Sequence, residues 1–124
     1  MDGASFLDLV GLDLGPAADG RAEGSVRIGP DHLNPHGYLH GGVVFTLVDT
    51  LMGAAVMSVV EEGERCVSGD VHLRFVRPVS GGAIEGEARI VHRGRRSVLV
   101  EATVRDDEGR TVALGDASFA VVPA

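Results

Sequence analysis

The stretch from Asn34 to Asp49 carries the residues of this chain best suited to chemistry. It contains Asn34, His36, His40, Gly41 and Gly42, followed by an apolar run that reaches Asp49. Asp49 is the only ionisable residue between Gly41 and Val60. A lone carboxylate among apolar side chains is costly to bury unless something uses it. A helix starting near Gly41 leaves backbone N–H groups without intrahelical acceptors, and such groups can hold a developing oxyanion. Gly41 is the expected donor, because its N–H lies in the first turn, where the helix macrodipole favours negative charge. Asp49 can attack a carbonyl carbon or activate the water that does, and the residues leave both routes open. These are the parts of an acyl-transfer or hydrolysis site.

Two residues so far apart in sequence have a geometric consequence. Gly41 and Asp49 are eight residues apart, which along one helix is roughly 12 Å. A carbonyl spans only about 1.2 Å. One helix therefore cannot present both groups to the same carbonyl. A second copy related by a two-fold axis can bring its Asp49 to the first copy's Gly41, so the site is expected to lie between chains.

The pattern Asn34-x5-His40-Gly41-Gly42-x6-Asp49, continued by Thr50, Leu51, Met52, Gly53, Ala54 and Ala55, resembles the hotdog-fold acyl-CoA thioesterases of the phenylacetate-pathway (PaaI-like) branch. The resemblance runs from about Asp19 to Val122 and takes in Leu73 to Pro78, Arg93 to Arg96 and Ala113 to Gly115. It implies an α+β hotdog fold, hydrolysis of an acyl-CoA to free acid and CoA, and a homodimer or homotetramer. It implies no cofactor, coenzyme A being part of the substrate. It also implies a catalytic role for Asp49, and for Asn34 an amide that holds the thioester or the water. An Asx turn before Pro35 is the other reading of Asn34. By the same resemblance His40 braces the loop or the carbonyl rather than acting as base, and Ser68 lies near the water, in a register open to one residue. A non-catalytic acyl-CoA-binding module and a hotdog hydratase or dehydratase are the alternatives, and the motif leaves the acyl group open.

The basic residues suggest where a nucleotide would sit. There is no lysine, and seven of the eleven arginines fall between Arg65 and Arg96. Arg77, Arg93, Arg95 and Arg96 are candidates for the CoA phosphates, because guanidinium forks match phosphate oxygens and Gly94 lets the backbone approach. The net charge of −7 argues against nucleic acid, which wants a basic face. His32, His36 and His40 recur every four residues, yet Pro35 and Gly37 oppose a helix there and no third ligand is evident, so no metal is expected. Cys66, the single cysteine, reads as a small core residue in a reducing, cytoplasmic setting. The N-terminal residues, Met1 to Phe6, lack the basic flank of a signal peptide.

Positioning these groups requires one domain, expected to span residues 1–124. Phe6 to Val10 suggests a short helix. Alternation predicts strands over 21–28, over 65–77 with Val71, Leu73 and Phe75 on one face, over 83–92 with Ile84, Gly86, Ala88 and Ile90 inward, over 97–105 with Val98, Val100, Ala102 and Val104 inward, and a less one-sided strand over 111–122. The long helix is predicted from His40 or Gly41 to no later than Gly63. Acidic residues follow the apolar run at Glu61 and Glu62, which favours a core helix over a membrane span. Short connections favour antiparallel neighbours wrapped around the helix.

Overall fold

The computed structural model describes residues 5–124, and the reading of the first residues as lacking a signal flank lies mostly outside them. Ser5 caps α1 (Phe6–Val10): its hydroxyl accepts from the Asp8 N–H, and Gly11 ends the helix in the left-handed region at φ 76°. Six strands follow in one antiparallel sheet: β1 (Leu12–Ala18), β2 (Arg21–Arg27), β3 (Glu64–Phe75), β4 (Ala83–Arg93), β5 (Ser97–Arg105) and β6 (Thr111–Pro123). Their order across the sheet is β1-β2-β4-β5-β6-β3, so β1 and β3 are the edges. The long helix α2 (Gly41–Met57) lies on one face of this sheet.

The helix buries Val44, Leu47, Val48, Leu51, Met52, Ala55 and Val56, a spacing of three and four that turns one side to the sheet. Facing it are Val26, Ile84, Val98, Val100 and Val104. Gly24 and Gly86 let the sheet close tightly on the helix, since a Cβ at either would lie 2.9 or 2.8 Å from a Leu51 methyl. The inward sets expected for β4 and β5 hold: Ile84, Gly86 and Ala88 are buried and Ile90 half-buried, and Val98, Val100, Ala102 and Val104 are buried. In β6 the inward residues are Ala113, Gly115, Ala117 and Phe119. The antiparallel hotdog architecture is the one expected.

Two details differ from the sequence reading. β1 was not anticipated, because Gly15 and Pro16 break its pattern. Pro16 is tolerated because β1 is an edge strand with a register shift between Leu14 and Ala17. Helix α2 ends at Met57, inside the expected limit, and Gly63 turns the chain into β3 at φ 86°. Phe75 does not share the half-buried state of Val71 and Leu73. It is 57% exposed, at the end of β3 beside the start of the helix. No helix among the described residues is long and apolar enough to cross a membrane.

Candidate active site

Helix α2 opens on His40. Its Nδ1 accepts the Gly42 N–H at 2.8 Å and its carbonyl accepts from Val43 at 3.0 Å. A ring nitrogen that accepts a backbone N–H carries no proton, so Nε2 carries the ring hydrogen and His40 can donate there. Among the described residues no acceptor takes the Gly41 N–H. It is left free at the positive end of a 17-residue helix. The ring of Phe75 lies over this glycine, and a Cβ at position 41 would sit 3.0 Å from the ring tip. A side chain at 41 would have to push this exposed ring aside, so glycine suits the close approach of β3 to the helix start.

The loop before the helix is stitched by Asn34. Its Oδ1 accepts from the His36 N–H at 2.9 Å and the Tyr38 N–H at 3.2 Å. This is the Asx turn, and it leaves the amide nitrogen available to a ligand. A second clamp was not anticipated: His32 accepts the Gly29 N–H through Nδ1 at 2.9 Å and lies 2.6 Å from the Val10 carbonyl through Nε2. It ties this loop to the end of α1. Asn34, Tyr38, Leu39, Gly41 and Val44 line a cavity of about 370 Å³ together with Phe75 to Val79 and Val112. Neither Asp49 nor Ser68 belongs to its wall.

Asp49 lies half-buried on the middle of α2, beneath β3. Ser68 Oγ donates to its Oδ1 at 3.0 Å. The other carboxylate oxygen remains for water or substrate. Cys66, two residues earlier, donates through Sγ to the Gly53 carbonyl at 3.7 Å. Burial, and to a smaller degree the Asp49 carboxylate, pushes its thiol up, against the pull of a backbone hydrogen bond. Cys66 is held as a neutral thiol and is no nucleophile.

The arginines divide between two ends of the molecule. Arg77 lines the Gly41 cavity. Arg93 ends β4, and Gly94 to Arg96 turn the chain into β5. Gly94 N–H donates to the Ser97 carbonyl at 2.8 Å, and a Cβ at 94 would lie 2.6 Å from that oxygen, so the hairpin itself demands glycine. A register shift at Val91 sets Arg93 opposite Val98, Val98 opposite Phe119, and Phe119 opposite Ser68. Directly opposed residues share a face, so Arg93 stands in one row with Ser68. None of Arg77, Arg93, Arg95 and Arg96 makes an ion pair among the described residues, whereas Arg89, Arg105 and Arg110 do. His32, His36 and His40 do not converge, and among the described residues no group of three or more His, Cys, Asp or Glu could hold a metal ion.

A free helix-start N–H beside an apolar cavity, and a serine-held carboxylate on the same helix, are groups of the kind that hydrolysis uses, carried here on a hotdog fold. Residues 36–113 match the model of the thioesterase superfamily. The chain belongs to that family, whose class of reaction is thioester hydrolysis. It is 41% identical over 76 residues to the proofreading thioesterase EntH of Klebsiella pneumoniae, a match covering 61% of this chain and 56% of that protein. The chain thus spans little more than half the length of that relative. A Bacillus halodurans protein solved with CoA is 36% identical, with a TM-score of 0.84 over 94% of this chain and 74% of that one. The Escherichia coli PaaI protein of the phenylacetic acid degradation operon, 24% identical, shares the fold at a TM-score of 0.88 over 95% and 84% of the two chains.

Proposed function

We propose that the chain hydrolyses an acyl-CoA thioester to the free acid and CoA at a site shared by two copies. The observation that carries this reading is the separation of its two halves. The Gly41 N–H lies at Phe75, whereas Asp49 is bonded to Ser68, seven residues away along β3. Along α2 the two groups are eight residues, roughly 12 Å, apart. Edge strand β3 is twelve residues long and has only β6 beside it. It also exposes Val67 and Phe75. A long open edge of this kind is a template for pairing. Antiparallel pairing of β3 with a second β3 about a two-fold axis at His72, with Gly69 passed over as the extra residue it already is against β6, sets Phe75 opposite the partner's Ser68. The Gly41 N–H then meets the partner's Asp49, which neither chain achieves alone.

In that site the Gly41 N–H holds the oxyanion, and Asp49, oriented by Ser68, attacks the thioester carbon or takes the proton of the attacking water. The Asn34 amide nitrogen and the His40 Nε2–H donate to the thioester or the water. Arg77 from one copy and Arg93, Arg95 and Arg96 from the other approach the same site and take the CoA phosphates, with Gly94 shaping their turn. The CoA held by the Bacillus halodurans relative supports a CoA substrate. No cofactor or metal is needed for this chemistry. The net charge of −7 sets nucleic acid aside, and we take the protein to work in the cytoplasm as a homodimer or homotetramer without a membrane. Release of free thiol from a panel of acyl-CoAs tests the proposal, and no release from any acyl-CoA under conditions where the chain binds them would favour a binding module.

A further inference from the structure

β3 changes face midway, and the change occurs beside Asp49. Before it, Cys66 and Ser68 turn toward the helix, as their bonds to Gly53 and Asp49 show. After it, the half-buried residues are Val71 and Leu73, of opposite parity. The pairing with β6 explains the switch: Ser68 opposes Phe119 and Asp70 opposes Ser118, so Gly69 has no partner and is a β-bulge. In an unbroken strand with Val71 and Leu73 inward, Ser68 would point away from the helix, because successive side chains alternate. Ser68 reaches Asp49 only because of the bulge.

Asp70 closes that bulge. Its Oδ1 accepts from the Ser118 N–H at 2.9 Å and from the Ser118 hydroxyl at 2.7 Å. A bulge disrupts the ladder at the extra residue, and the side chain supplies an acceptor there. Gly69 fits closely, since a Cβ would lie 3.1 Å from Ser118 Oγ and 3.3 Å from the Ser118 carbonyl. We infer that Asp70 is a positioning residue for thioester hydrolysis: by latching the Gly69 bulge to Ser118, it holds Ser68 on the helix side, where it orients Asp49. The inference rests on the proposal that Asp49 is the catalytic carboxylate. Asp70 itself faces away from the helix and touches no substrate.

Asp70→Ala removes the acceptor, and kcat is expected to fall about three- to tenfold, the size of one or two hydrogen bonds expressed as a rate, with KM unchanged. Asp70→Asn keeps an acceptor oxygen and is expected to restore kcat. In a Ser68→Ala background, Asp70→Ala is expected to cost nothing further, because the group it positions is already gone. Should Asp70→Ala not fold, Ser118→Ala removes only the hydroxyl bond and is expected to lower kcat by about twofold. The inference is overturned by wild-type kcat in the folded Ala variant, by equal damage from Asn and Ala, or by an undiminished effect without Ser68. Asp49→Asn separates the two failures. If that variant is inactive while Asp70→Ala turns over normally, only the latch is wrong. If Asp49→Asn turns over normally, the catalytic reading falls and the latch falls with it.

Discussion

Ser68 Oγ donates to Asp49 Oδ1 across 3.0 Å, joining the edge strand to the middle of the helix. The bond fixes one oxygen of the carboxylate and leaves the other to act. Asp49→Asn keeps the shape and can still accept from Ser68, but its amide is neither nucleophile nor base. We expect kcat to fall by at least about a hundredfold, with binding of a non-hydrolysable acyl-CoA largely kept. Steady-state thiol release and calorimetry on the same preparation check both halves.

Ser68→Ala leaves Asp49 charged but free to rotate. We expect kcat to fall about tenfold with KM within about twofold, the pattern of an interaction that matters in the transition state. A rise in KM alone would make Ser68 a substrate contact instead.

The arginine turn is expected to act through charge. Arg95→Ala or Arg96→Ala should raise KM for an acyl-CoA several-fold, on the order of one charge-assisted hydrogen bond, and leave KM for a pantetheine thioester lacking the nucleotide unchanged. Added salt should weaken the first substrate more than the second. Equal effects on both would move the phosphate site elsewhere.

The Ser118 hydroxyl, and then its N–H, hold the Asp70 carboxyl below its ordinary value. A carboxylate depressed in the folded state adds stability that is full above the unfolded value, about 3.9, and is lost as pH falls through the lower folded one. Asp106 is also lowered: desolvation opposes this, and hydrogen bonds from Arg110 and Glu108 outweigh it. The useful readout is therefore a difference. Between about pH 5 and pH 2, the Tm of the wild type should fall more steeply than that of Asp70→Asn. Parallel curves would mean that the latch carries no charge-dependent stability.

Much of this was legible because the groups lie on regular elements. Alternation in 83–92 and 97–105 placed Ile84, Val98 and Val104 correctly, and the run from Gly41 gave the helix that carries Asp49. β1 was hidden by Gly15 and Pro16, whose cost an edge strand escapes. The bulge had a signal in Gly69, since a glycine inside a strand pattern often marks one, but only the pairing with Ser118 shows which side chains it turns inward. The Phe75 ring over Gly41 and the His32 clamp are long-range contacts, and no local pattern encodes them.

The central claim is that each site needs two chains, and complementation tests it most directly. Asp49→Asn and Gly41→Pro chains, each inactive alone, are co-expressed and the mixed dimers purified. Proline is tolerated in a first helical turn and has no N–H to offer. The Phe75 ring, 57% exposed, must swing aside to admit it, so the fold of the Gly41→Pro chain is checked first by circular dichroism. In a mixed dimer one site carries both lesions and the other joins an intact Gly41 to an intact Asp49. The account predicts activity approaching about half the wild-type value per dimer, one site of two being whole. Mixed dimers as inactive as either parent would contradict it.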